Sequence, residues 1–208
     1  MRKHFHQLAL VTAIAAVCGN ASATAVAYVG CNSTGNYLAS YGFSVTNITN
    51  PTSAGFLAGY DAAVASSNCV FADPTLVGNE LQAFANSGHG VVLTQFDFQG
   101  VWTLGGGINQ AGYNPFINDT TSSNYIFVGQ HLGSVYDPSS PLFSGLTIAN
   151  VQNDYQALVA LDGTATLVAD WTNGRHAIAY NSLATSSIVG LNLFGADGYV
   201  NVDTQQLV

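Results

Sequence analysis

The chain has 208 residues, of which only 7% are charged, with three Lys and Arg against eleven Asp and Glu. Two of the three cations, Arg2 and Lys3, stand at the extreme N-terminus, which leaves Arg175 alone in the body of the chain. Nucleic acids and anionic membranes are held by clustered Lys and Arg, so neither is expected as a partner.

Hydrophobic residues make up 48% of the chain and aromatic residues 11%, enough for a packed core rather than a disordered low-charge polymer. The surface must then be built largely from Ser, Thr, Asn, Gln and Gly. Behind Arg2 and Lys3 runs an apolar stretch over 8–17, closed by the small residues Ala21, Ser22 and Ala23. A positive start, a short apolar run and an A-x-A site describe a secretory leader, and the run is too short to span a bilayer. Val17 precedes Cys18, which departs from the Gly or Ala of a lipoprotein signal. A leader over 1–23 is expected, followed by one domain over 24–208 that is secreted or held at the cell surface.

In the mature chain the first element is an apolar run over 25–30, read as a buried strand. A loop at 32–35 and a short helical or irregular stretch follow. Residues 43–48 alternate with period two and are rich in strand formers, and 60–67 is another small, apolar strand. Asp73 can cap a helix that has Pro74 at its first position and Leu76, Val77, Leu81 and Phe84 on one face. Residues 90–95 read as a central buried strand. Strand, helix and strand in succession form a βαβ unit, hence a parallel sheet with a right-handed crossover.

From Phe96 to Asn124 the chain is rich in Gly, Asn and Thr, including Gly105, Gly106 and Gly107. Long ordered loops tend to be functional, so this segment is expected to cover the strand carboxyl ends as a lid, pinned by Trp102, Tyr113 and Phe116. A strand at 125–128 follows. Strands at 166–171 and 176–180 flank Asn173-Gly174, a type I′ hairpin signal, and 187–193 is the last strand.

Residues 60–97 carry a resemblance. YDAAVASSN, NCVFADP, the helix and GHGVVLTQFDF together resemble the class I glutamine amidotransferase-like fold in its ThuA-like branch. GVWTLGGGINQAGYNPF, SPLFSGL and the pair ADWTNGRHAIAY and SIVGLNLF are similar to later pieces of that family in the same order. The resemblance implies a flavodoxin-like three-layer α/β sandwich, mostly parallel, with an antiparallel hairpin. Amidotransferases of this fold carry a nucleophilic Cys on the turn after the central strand and a late His-x-Glu pair. Here that turn is Thr94-Gln95-Phe96-Asp97, and no such pair occurs, so glutaminase chemistry is not expected. The family also has a C-terminal helix. Asp203 resembles its cap and 204–208 its first turn, which is too short to nucleate alone, so the chain is expected to be clipped there.

Open parallel sheets bind ligands at the strand carboxyl ends. Asn68, Asp73, Gln95, Asp97, Gln99 and Trp102 follow strand ends and would form a polar crevice with an aromatic wall, suited to a neutral small molecule or glycan. Asp73 serves equally as a plain helix cap and Trp102 as loop packing. Asp97, set between Phe96 and Phe98, is the acid most in need of a ligand or metal role. His131, in a loop with Asp137 six residues later, could act as a base with its orienter if a nucleophile were near. His89 and His176 read as structural. No metal or cofactor motif occurs, and none is expected. Asn32, Asn47 and Asn118 stand in N-x-[ST] sequons.

Cys31 and Cys69 are the two cysteines left after the leader. In the flavodoxin-like order their strands are parallel neighbours, so their ends meet within disulfide reach. The competing reading is a free Cys69 thiol, lowered in pKa by the following helix. The functional expectation is an exported, non-catalytic binding or surface module. The alternative is a secreted hydrolase of a carbohydrate or ester, using Asp97 with His131.

Overall fold

A computed structural model describes residues 25–117, 126–144 and 146–198. The expected leader, the Asn118 sequon and the expected helical turn at 204–208 lie outside these residues. The chain order is β1 (Ala25–Gly30), β2 (Ser44–Thr49), β3 (Ala62–Ala65), α1 (Pro74–Asn86) and β4 (Gly90–Thr94). After these come β5 (Phe116–Ile117), β6 (Ile126–Val135), β7 (Gln152–Gln156), β8 (Ala160–Leu161), β9 (Thr166–Trp171), β10 (His176–Ser182) and β11 (Ser187–Leu191).

One sheet runs in the order β2-β1-β3-β4-β11-β10-β9-β6-β7, and β5 pairs separately with β8. The pairs from β2 through β11 are parallel, and those from β11 through β7 are antiparallel. The fold is therefore the α/β sandwich of flavodoxin-like order, mostly parallel in its first half.

Side chains alternate across the sheet with period two, and the alternation sorts the core into two layers. Val26, Tyr28, Val64, Val92 and Val189 pack on one face with Leu38, Phe43, Leu142 and Phe143. Ala27, Val29, Ala63, Ala65, Val91 and Leu93 face the other way, against Val77, Leu81, Phe84 and Ala85 of α1. The helix starts where its sequence says it should: Pro74 is its first residue, and Asp73 Oδ1 accepts from Leu76 N at 2.8 Å. The strand side chains beneath α1 are small, which lets the helix sit close to the sheet.

The segment expected to be a lid does something different over most of its length. Only its start, through Trp102, stays at the strand carboxyl ends. From Leu104 it turns back along α1 and lies over the same sheet face, filling the place of a further helix. Gly105 N donates to Pro74 O at 2.9 Å and Gly107 N to Asn79 Oδ1 at 2.7 Å. A Cβ on Gly78 would stand 1.9 Å from Gly105 O, so the approach requires glycine there. Further on, Phe116 meets Phe98 edge-on at 5.1 Å and sits over Gly190 of β11. The glycine tract serves close packing, not mobility.

Two other expectations are corrected. The strand expected at 125–128 continues to Val135, so His131 lies within β6, not in a loop. It stands opposite Gln152 of β7. The hairpin at Asn173-Gly174 is also not type I′, which needs positive φ at both residues. Only Gly174 has it, at +81°. Gly174 N bonds Trp171 O while Trp171 N bonds Arg175 O, a three-residue loop ending in a left-handed glycine.

Candidate functional site

The parallel strands deliver their carboxyl ends to one place. β1 runs into Cys31, β3 into Ser66, Ser67, Asn68 and Cys69, and β4 into a 3-10 turn at Gln95–Phe98. Cys31 and Cys69 are joined by a disulfide with a Cα separation of 5.9 Å, tying the end of β1 to the loop after β3.

Asp97 performs a similar tie between β3 and β4. Its Oδ2 accepts from Thr94 N at 2.9 Å and its Oδ1 from Ser67 N at 3.1 Å. The residue is 0% exposed. Burial pushes its carboxyl up to about 7, against the pull of the two amides and the Ser67 hydroxyl, which favour the charged form. Ser67 Oγ in turn donates to Trp102 O at 3.2 Å, fixing the turn that presents Trp102.

Gln95 and Gln99 are equally enclosed, and Gln95 Nε2 donates to Gln99 Oε1. Above them stands an aromatic cluster. Phe96 meets Trp102 at 4.8 Å, Phe194 at 5.0 Å and Tyr155 at 5.6 Å, all edge-on. Tyr155 belongs to β7 at the far edge of the sheet, so β7 bends back over the strand ends. Asn192, just beyond β11, staples it there: Asn192 Oδ1 accepts from Ala157 N at 2.7 Å and its Nδ2 donates to Ala157 O at 2.9 Å. Asn153 Oδ1 accepts from Tyr155 N at 2.8 Å. The cover over the carboxyl ends is thus shared by Trp102 and β7.

Four buried polar atoms beneath or within this cover have no hydrogen-bond partner among the described residues: Ser66 Oγ, Thr94 Oγ1, Gln95 Oε1 and Asn153 Nδ2. Buried polar groups are normally paired, so these are spare hydrogen-bonding capacity at the position where the fold class takes ligands.

The structure brings Asn68, Gln95, Asp97, Gln99 and Trp102 to this one region. Asp73 is exposed and caps α1. His131 is exposed on β6, which lies four places from β4 in the sheet order. His176 Nδ1 is 2.8 Å from Asp170 Oδ1, and Tyr136 donates to Asp170 Oδ2 at 2.6 Å. Among the described residues no three His, Cys, Asp or Glu side chains cluster as a metal would require.

Several contributors were not read from the sequence. Tyr155, Asn153 and Asn192 come from chain regions far from Gln95. Their signal was faint: an Asn inside the apolar run GLNLF is costly to bury unless it has partners. Asp197 is another. Its carboxylate accepts from Thr34 Oγ1, Tyr37 N, and both the backbone and side-chain nitrogens of Asn36, so the loop after β1 is closed by a residue from the far end of the chain.

No protein-family model matches the chain, and no curated protein matches it in sequence. Solved structures do match in shape. A cytoplasmic protein from Salmonella typhimurium superposes with a TM-score of 0.62 at 11% identity, covering 88% of this chain and 95% of that one. A Thermoplasma acidophilum protein, described as part of a GMP synthase, gives 0.55 at 13% identity over 90% and 92%. A protein from Parabacteroides merdae, described as ThuA-like, gives 0.53 at 13% identity over 89% and 86%. At such identities the likeness is one of fold alone, and the fold of this chain is the ThuA-type, glutamine amidotransferase-like α/β architecture.

Proposed function

We propose that the chain is an exported, non-catalytic binding or cell-surface module that takes a small neutral molecule or glycan at the carboxyl ends of its parallel strands. The observation that carries this reading is the Cys31–Cys69 disulfide at those ends. Disulfides persist in oxidising compartments, and this one engages the thiol that a nucleophilic mechanism would need. The turn after β4 is filled by enclosed Gln95, Phe96, Asp97 and Phe98 rather than by a nucleophile on an exposed elbow. The spare capacity of Gln95 Oε1 and Ser66 Oγ supports a neutral, polar ligand, reached from the rim at Asn68 and Trp102.

The alternative of a secreted hydrolase using Asp97 and His131 has weaker support. Asp97 spends both oxygens on backbone amides, and His131 is on a distant strand. One experiment tests the main reading: intact-mass analysis and thiol titration of the native protein from the host's extracellular and envelope fractions. A mature chain starting near Thr24 with no free thiol is expected. A cytoplasmic protein that retains Met1 and titrates as free thiols would overturn it.

A further inference from the structure

A second opening lies away from the carboxyl-end crevice, on the other face of the sheet and at its opposite end. It is a cavity of about 220 Å³ between the β10–β11 hairpin and the connection that follows β6. Its floor comes from two register pairs, Tyr180 with Val189 and Ser182 with Ser187. Facing partners and residues two apart share one side of a sheet, so one ring, one apolar side chain and two hydroxyls present a single patch. Asp137 and Ser140 close the opposite wall, with Pro141 and Leu142 beside them.

The chemistry of this cavity is specific. Asp137 is its only charged residue among the described residues, and one carboxylate oxygen, Oδ1, is held by Ser139 N at 3.1 Å and Ser139 Oγ at 2.6 Å. Among the described residues no protein group bonds Asp137 Oδ2 or the hydroxyls of Tyr180, Ser182 and Ser187. Anions are disfavoured, because a carboxylate without a cation would face them. The volume is below the roughly 300–1,000 Å³ of pockets for drug-sized ligands, which limits the occupant to one small ring. A polyol uses every part of such a wall: its C–H face rests on Tyr180 and Val189, and its hydroxyls pair with the serines. A hydroxyl bond to Asp137 is charge-assisted and among the stronger kinds.

We infer that this cavity is a subsite for a neutral, monosaccharide-sized polyol, held by the Tyr180 ring, the Ser182–Ser187 pair and the Asp137 carboxylate. It stands apart from the carboxyl-end crevice and can bind whether or not that crevice does.

Saturation-transfer NMR on the mature chain tests it, with D-glucose, D-galactose and choline as probes. At least one hexose is expected to bind with a Kd on the order of millimolar, and choline more weakly. Asp137→Asn should weaken the hexose by about tenfold or more, the loss of one charge-assisted bond. Tyr180→Ser should remove the signal, and Asp137→Asn decides the matter if that variant does not fold. Silence from both hexoses would overturn the inference, as would choline binding more tightly than either. A hexose that keeps full affinity in Asp137→Asn but is lost in Trp102→Ala would also overturn it, while supporting the reading of the carboxyl-end crevice.

Discussion

At the carboxyl ends of the strands this protein narrows its crevice with its own side chains, whereas beside the β10–β11 hairpin it leaves an open cavity. The first region is crossed by a disulfide, a carboxylate clamp and an aromatic cluster. The second is lined by a half-buried tyrosine and serines at the end of two strands. The contrast teaches that one set of polar residue types can do opposite work. At Asp97 the carboxylate is consumed in joining β3 to β4, so its chemistry is spent on structure. At Asp137 the carboxylate is steadied by one local serine and keeps an oxygen free.

On that contrast, changes in the crevice should move stability and changes at the cavity's serine hydroxyls should not. The largest effect is expected from replacing both Cys31 and Cys69 by Ser. The bond closes a span of 38 residues, and the chain-entropy estimate for its loss is about 4 kcal/mol. Urea unfolding of the two proteins measures it, and a loss under about 1 kcal/mol would show that the strand ends are held by something else.

A smaller effect is expected from pH. The Asp97 carboxyl sits at about 7 in the folded chain, above the ordinary value of 3.8. Between those values the folded state holds a proton that the unfolded state has released. Its stability contribution is therefore complete below pH 4 and fades as pH rises through 7. Between pH 5 and 8 the unfolding free energy should fall by about 2–3 kcal/mol from this group. The slope should flatten in Asp97→Asn, and an unchanged slope would remove Asp97 as its source. The smallest effect belongs to the cavity, where Ser187→Ala should change stability by less than about 0.5 kcal/mol. A larger loss would mean that the open cavity is a structural joint after all.

Much of the parallel half was legible from the residues. Short apolar runs such as 25–30 and 90–95, bounded by turn residues, suit buried central strands, and Asp73-Pro74 marks the helix start by its own chemistry. The strand neighbours of Cys31 and Cys69 followed from the expected order. The antiparallel half was less legible, and for physical reasons. β6 carries register shifts between Phe127 and Gln130 and between Leu132 and Val135, which break the period-two pattern and made His131 look like a loop residue. The glycines at 105–107 read as loop because a missing side chain looks alike whether it grants freedom or permits contact. The Asn173-Gly174 pair fits more than one tight turn, and the structure uses the one in which only the glycine is left-handed. For the site, Asn68, Gln95, Asp97, Gln99 and Trp102 could be placed because they trail strands. Tyr155 and Asn192 could not, since they arrive by a bend in β7 that no local pattern encodes.

The position of β11 has a consequence for how the chain is built. It is the last strand among the described residues, yet it lies between β4 and β10, in the middle of the sheet. Until Ser187–Leu191 has been synthesised, β4 and β10 each present an open edge with unpaired amides and carbonyls. The sheet therefore cannot close from its beginning as the chain emerges. The two halves must wait for one late strand to join them, a long-range step of the kind that slows folding. Such a chain stays loose until β11 has been added, so its first four strands and its hairpin mature together rather than in turn.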